Sequence, residues 1–187
     1  MNRPSILEML SASIDKFRTR TALEWQDTRV SYEELQAKSD EIAVRLISSG
    51  AGKGTLVVVM LENSLHVIPA LIGIWKAGCV FVPLDLNNPE KRLEAMLSLA
   101  KPEWAIVEPG LVELLERLLS DTRRDLHCLP FNDPHPSPRY ERVENAIPHG
   151  PDDLCYISFT SGSTGNPKAI AGRYKGIAHF IDWEINT

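Results

Sequence analysis

The chain has 187 residues, with 20 Lys and Arg against 25 Asp and Glu and a formal net charge of −5. Hydrophobic residues make up 43% and charged residues 24%, the balance of a globular protein whose core buries roughly 70% of the unfolded surface. The acidic balance, with no basic stripe interleaved with aromatics, excludes a nucleic-acid footprint; Arg123-Arg124 is too short to form one.

The N-terminus lacks a long apolar stretch with a cleavage site, and no run approaches membrane-spanning length, which predicts a soluble, cytoplasmic protein away from the membrane. Cys79, Cys128 and Cys155 are odd in number and widely spaced, and each falls in or beside a predicted buried strand. They read as reduced core thiols. The five histidines show no ligand spacing with each other or with cysteine, so no metal site is expected.

Ile6, Leu7, Met9, Leu10, Ile14 and Phe17 recur at helical spacing and predict an amphipathic helix over 5–18. Short β segments at Leu23–Trp25 and Arg29–Val30 form a hairpin over Gln26-Asp27. Ser31 with Glu34 three residues on is a capping box, opening a helix that ends near Gly50. The pattern then alternates. Leu56–Leu61 is a strand, and Ser64–Ala77 a helix closed by Gly78. Cys79–Val82 is a strand, and Pro89 opens a helix to about Ala100. Trp104–Val107 is a strand, Leu111–Leu119 a helix and Asp125–Leu129 a strand. Apolar strands alternating with helices predict an α/β fold, a doubly wound, mostly parallel sheet flanked by helices.

Residues 130–151 carry six prolines, from Pro130 to Pro151, and read as a long connection. A strand at Leu154–Phe159 follows, then a glycine-rich segment, then a helix from Arg173 to Glu184. The domain is expected to be incomplete at Thr187.

The segment Thr160-Ser161-Gly162-Ser163-Thr164-Gly165-Asn166-Pro167-Lys168 is the chain's clearest chemical signal. Glycines allow backbone N–H groups to turn inward around an anion, Ser and Thr add hydroxyl donors, and Lys168 adds a full positive charge. It is not a Walker A loop, which needs Gly directly before Lys where this chain has Pro167.

Other polar residues have plainer readings. Tyr32, Leu35, Lys76 and Gly78 read as packing and helix-end residues, and Asp85 as a cap for the segment after its strand. His179 and Trp183, one turn apart on the last helix, read as one packed face. Glu33-Glu34 and Asp152-Asp153 read as solvated acids, and no general base or other catalytic residue is assigned.

The glycine segment resembles the phosphate-binding loop of adenylate-forming enzymes, T-S-G-[ST]-T-G-x-P-K. Two upstream segments carry the same resemblance and narrow it to adenylation domains of non-ribosomal peptide synthetases: Val30-Ser31-Tyr32-Glu33-Glu34-Leu35, and Trp75-Lys76-Ala77-Gly78-Cys79-Val80-Phe81-Val82-Pro83-Leu84-Asp85. Ala169 departs from the family's glycine after the lysine, and Gly172-Arg173-Tyr174-Lys175-Gly176 stands where His-Arg-Gly is commoner.

The resemblance implies that residues 1–187 are the N-terminal portion of one adenylation domain, an incomplete N-terminal subdomain of that fold. It implies Mg2+ and ATP as cofactors, with Thr160, Ser161, Gly162, Ser163, Thr164, Gly165 and Lys168 at the phosphates. An amino or other carboxylic acid is activated as an acyl-adenylate and passed to phosphopantetheine on a partner peptidyl-carrier domain. The remainder of the adenylation domain is itself a partner, and the chain alone is expected to be inactive. The alternatives are a non-catalytic binding or regulatory module of the same fold, a decayed frame, and an acyl-CoA synthetase-type fragment.

Overall fold

The computed structural model describes residues 4–62, 64–120, 126–131, 146–161 and 166–186. Helix α1 (Ile6–Phe17) opens on a capping box, Ser5 with Glu8. Strands β1 (Thr21–Trp25) and β2 (Thr28–Ser31) form an antiparallel hairpin, with Gln26 in the left-handed region at φ 52°. Ser31 then caps α2 (Tyr32–Ser48): its hydroxyl accepts from the Glu34 amide, and the Glu34 carboxylate accepts from the Ser31 amide.

The main sheet is built from β3 (Leu56–Met60), β4 (Val80–Pro83), β5 (Trp104–Val107), β6 (His127–Pro130), β7 (Leu154–Ser161) and β8 (Pro167–Arg173). Its strand order is β6-β5-β3-β4-β7-β8, parallel through β7 and antiparallel only at β8. The connections are α3 (Ser64–Lys76), α4 (Glu90–Ala100), α5 (Val112–Leu119) and, after β8, α6 (Tyr174–Asn186). The predicted α/β architecture with a mostly parallel sheet between helices is what the chain adopts.

Alternation along the strands sends successive side chains to opposite faces. Val57, Val59, Phe81 and Ile106 meet Ile42 and Leu46 of α2 and Ala70 and Ile74 of α3. Val58, Met60, Val82 and Val107 meet Leu93 and Leu97 of α4 and Leu115 and Leu118 of α5. Each fully buried aliphatic side chain contributes ~1.5–3 kcal/mol. Helices α1 and α6 come together over Ile6, Trp75, Cys155 and Tyr174.

Gly78, at φ +76°, ends α3 and turns the chain into β4. A Cβ there would also lie 2.8 Å from Ile147 Cγ2, because the Ile147 amide donates to the Lys76 carbonyl. This seats the end of the proline-rich connection against α3; residues 132–145 of that connection lie outside the described residues.

Three expectations change. Residues 167–173 form a strand that no sequence pattern announced; pairing with β7 overrides the weak β preference of a run holding Pro, Ala and Gly. Cys128 is exposed, because β6 is an edge strand, while Cys79 and Cys155 are buried as expected. His179 and Trp183 lie on the exposed side of α6 rather than in a packed face, which Tyr174, Ile177 and Ile181 supply. Among the described residues, no helix is long and apolar enough to cross a membrane.

Candidate phosphate site at the tip of the β7–β8 hairpin

Strand β7 enters the parallel sheet beside β4, with Phe81 opposite Tyr156. Its C-terminal end therefore opens at the carboxyl edge of the sheet, the edge where open α/β sheets bind ligands. The chain returns as β8 with Thr160 opposite Lys168 and Ser161 opposite Pro167. Pro167 lacks an amide hydrogen, and the first residue of an edge strand tolerates that loss. The glycine-rich segment is thus the tip of a hairpin and does not lead into a helix.

Residues directly opposite in an antiparallel pair share a face. Thr160 and Lys168 stand together on the face that also carries Tyr156, Ser158 and Ile170, and Ser161 on the other. All three predicted residues Thr160, Ser161 and Lys168 are exposed. Gly162, Ser163, Thr164 and Gly165 lie outside the described residues.

The base of the hairpin is locked by close packing. A Cβ at Gly172 would sit 2.1 Å from Tyr156 Cε1, so only glycine lets the ring lie across the neighbouring strand.

Charge is distributed unevenly along the hairpin. At its base, Asp152 pairs with Lys175 at 2.6 Å and Arg173 at 3.1 Å, and Asp153 with Lys53 at 2.8 Å. Lys175 and Arg173 hold the Asp152 carboxyl below the usual carboxylate range, and Lys53 with the Gly150 amide does the same for Asp153. The adjacent acids read as solvated are in contact with solvent and also carry cation partners. Lys168, at the tip, forms no ion pair with any described residue. An exposed ammonium beside a threonine hydroxyl, with a glycine-rich tip, is a donor set that fits polyphosphate oxygens.

The remaining polar residues do structural work. The Asp85 carboxylate accepts from the Asn87 amide at 3.0 Å and the Asn87 side chain at 2.9 Å, closing the turn between β4 and α4. Glu33 pairs with Arg18 at 2.7 Å. Tyr32 lies 6.0 Å from the Phe17 ring, and Leu35 is core. Burial pushes the Cys79 thiol up to about 12 and the Cys155 thiol to about 11, which leaves both protonated and unreactive at neutral pH.

Sequence reasoning missed two polar contacts. Lys76 does more than end a helix: its ammonium donates to Asp40 at 2.6 Å and to Ser39 at 2.8 Å, all three groups buried. The available signal was Ser39 within the apolar stripe Leu35, Ile42, Leu46 of α2. At the carboxyl edge, His66 Nδ1 lies 3.3 Å from Glu108, which also accepts the Glu62 amide at 3.2 Å. This contact ties the exits of β3 and β5 together, and nothing in the local sequence foretells it.

A cavity of about 870 Å3 lies at the opposite, amino end of the sheet, between α1, α6 and residues 146–151, with Ile6, Leu10, Lys76 and His149 on its walls. It is remote from the hairpin tip. Among the described residues, no group of three or more His, Cys, Asp or Glu is placed to hold a metal ion.

Comparison with known proteins agrees with this fold and these motifs. The AMP-binding enzyme family model matches residues 10–186. The chain is 28% identical over 183 residues to tyrocidine synthase 1 of Brevibacillus parabrevis, covering 98% of this chain and 16% of that protein. It is 32% identical over 164 residues to the nonribosomal peptide synthetase imqB of Aspergillus flavus, covering 88% of this chain and 5% of that one. The chain therefore spans less than a fifth of the length of either relative. The N-terminal subdomain of Klebsiella oxytoca NpsA superposes with a TM-score of 0.76 at 25% identity, over 95% of this chain and 44% of that one.

Proposed function

The chain belongs to the AMP-binding enzyme family and is similar within it to the adenylation domains of non-ribosomal peptide synthetases; on that premise we propose that residues 1–187 form the N-terminal portion of one adenylation domain and supply its ATP phosphate-binding loop. The domain would activate a carboxylate, an amino acid above all, as an acyl-adenylate for transfer to the phosphopantetheine thiol of a carrier domain.

The observation that carries this reading is Lys168, exposed and without an ion pair among the described residues, opposite Thr160 at the mouth of the glycine-rich tip. The substrate carboxylate is already a nucleophile, so its oxygen attacks the α-phosphorus without a general base. The bond to the bridging oxygen breaks and pyrophosphate leaves with the electron pair. Charge grows on the β- and γ-phosphates, where the Lys168 ammonium, the hydroxyls of Thr160, Ser161, Ser163 and Thr164, and the amides at Gly162 and Gly165 would meet it. Donors set in place before the reaction stabilise that charge without reorganising. Mg2+ prefers phosphate and water oxygens with one or two carboxylates, and would arrive on the nucleotide.

The test is amino-acid-dependent ATP–pyrophosphate exchange. The 187-residue chain alone gives no exchange. Joined to the carboxyl-terminal part of an adenylation domain it exchanges, and Lys168→Ala lowers the rate at least tenfold, in line with loss of one charge-stabilising donor. Exchange by the 187-residue chain alone, or a joined enzyme indifferent to Lys168→Ala, contradicts the proposal.

A further inference from the structure

Arg92 stands in the first turn of α4, and its charge has no answer in the described fold. Its Nε is buried without a hydrogen-bond partner, and among the described residues the side chain forms no ion pair. A buried donor left unpaired is destabilising, and a positive charge in the first turn opposes the helix dipole. Both effects argue that this guanidinium is not kept for packing.

The surroundings of α4 place it. Leu93 and Leu97 face the sheet. Glu90 pairs with Arg117 at 2.7 Å, so its side of the helix faces α5, which lies towards the β6 edge of the sheet. Arg92 is two residues on, about 200° around the helix. It is therefore on the side towards the β8 edge, where Cα atoms of α4 and β8 come within 8 Å. Helix α4 starts where the chain leaves β4 at the carboxyl edge, and the antiparallel β8 starts at that same edge. The first turn of α4 thus lies beside the start of β8, on the face of β7 that carries Ile157, Phe159 and Ser161.

We propose that the Arg92 guanidinium is a second cation of the phosphate site and meets polyphosphate oxygens from the face of the hairpin opposite Lys168. The inference rests on the reading of the hairpin tip as a phosphate site, and adds a binding residue from a different element. Lys168 and Thr160 then approach the anion from one face, and Arg92 and Ser161 from the other. The two cations differ in what they can do. An ammonium acts as a point charge, whereas the planar guanidinium fork can donate to two phosphate oxygens at once. A polyphosphate would supply both the counter-charge and the acceptors that Arg92 lacks among the described residues.

The test titrates the 15N-labelled 187-residue chain with inorganic tripolyphosphate and Mg2+, reading affinity by calorimetry and the Arg92 Nε–H signal by NMR. That signal is assigned as the one missing from Arg92→Met. The expected result is a saturable shift of the Nε–H signal and binding weakened about tenfold in Arg92→Met, with part of the loss recovered in Arg92→Lys. Arg92→Met unfolds at no lower temperature than the parent, because it removes an unpaired buried donor. Lys91→Met, which deletes the neighbouring exposed cation of α4, leaves affinity unchanged. Unchanged binding in Arg92→Met, an Nε–H signal that stays in place at saturation, an equal loss in Lys91→Met, or a lower unfolding temperature in Arg92→Met would each overturn the proposal. Lys168→Ala separates the two readings. If it weakens binding and Arg92→Met does not, the hairpin-tip site stands without Arg92; if the parent chain binds no tripolyphosphate, both fall.

Discussion

Thr160 and Lys168 face each other across the last pairs of the β7–β8 hairpin, so the two ends of the glycine-rich segment are held one strand spacing apart on a single face. That spacing is set by strand register and not by a helix N-terminus. The proposed phosphate site would therefore need a rigid hairpin, with its donors in place before a ligand arrives.

The rigidity depends on Tyr156 lying over Gly172. Gly172→Ala puts a methyl into the ring, and overpacking of this kind costs ~1–3 kcal/mol. Denaturant unfolding should show that loss, and in a Tyr156→Ala background the same substitution should cost much less. A Gly172→Ala variant as stable as the parent would mean that the ring is not held there.

The buried ion pair between Lys76 and Asp40 joins α3 to α2. Removing one partner strands the other charge out of water, so Asp40→Ala should cost ~3–5 kcal/mol. Replacing both with apolar residues, Asp40→Leu with Lys76→Met, should cost much less. Equal losses for the single and double variants would contradict the pairing.

Both N-terminal helices open on capping boxes. Ser31→Ala removes the hydroxyl that accepts the Glu34 amide and should cost ~1 kcal/mol in thermal unfolding. Ser31→Asp should restore most of it.

His149 stacks on Tyr174 at 4.2 Å, and its Nε2 meets the Trp75 carbonyl. Burial lowers its pKa below the ordinary 6.5, against the raising effects of the Trp75 hydrogen bond and Asp153; nearby Lys53 lowers it further. The unfolded chain then binds more protons than the folded one just below pH 6.5, so this histidine's share of stability falls as pH drops through that window. Stability measured from pH 7 towards 5 should decline, and His149→Gln should flatten the slope. The pairings of Asp152 and Asp153 act lower, as pH falls below the ordinary carboxylate value of 3.8.

The parallel core was legible because Leu56–Leu61 and Trp104–Val107 are apolar on both faces, the pattern of strands covered by helices on both sides. The caps at Ser31 and Gly78 were legible because their chemistry is local. Strand β8 was not: Pro167 to Arg173 has no alternation of its own and becomes a strand only through long-range pairing with β7. The candidate residues Thr160, Ser161 and Lys168 could be named from the motif, but their register across β7 and β8 could not. The Lys76–Asp40 pair joins residues on two helices, and only Ser39 in an apolar stripe hinted at it.

The most direct test of the central claim is a titration of the 15N-labelled chain with Mg–ATP, followed by NMR, for the parent and for Lys168→Ala. The account predicts saturable shifts centred on Thr160, Ser161 and Lys168, with affinity at least tenfold weaker in the variant. Shifts centred elsewhere, or equal affinity in both chains, would contradict a phosphate site at the hairpin tip.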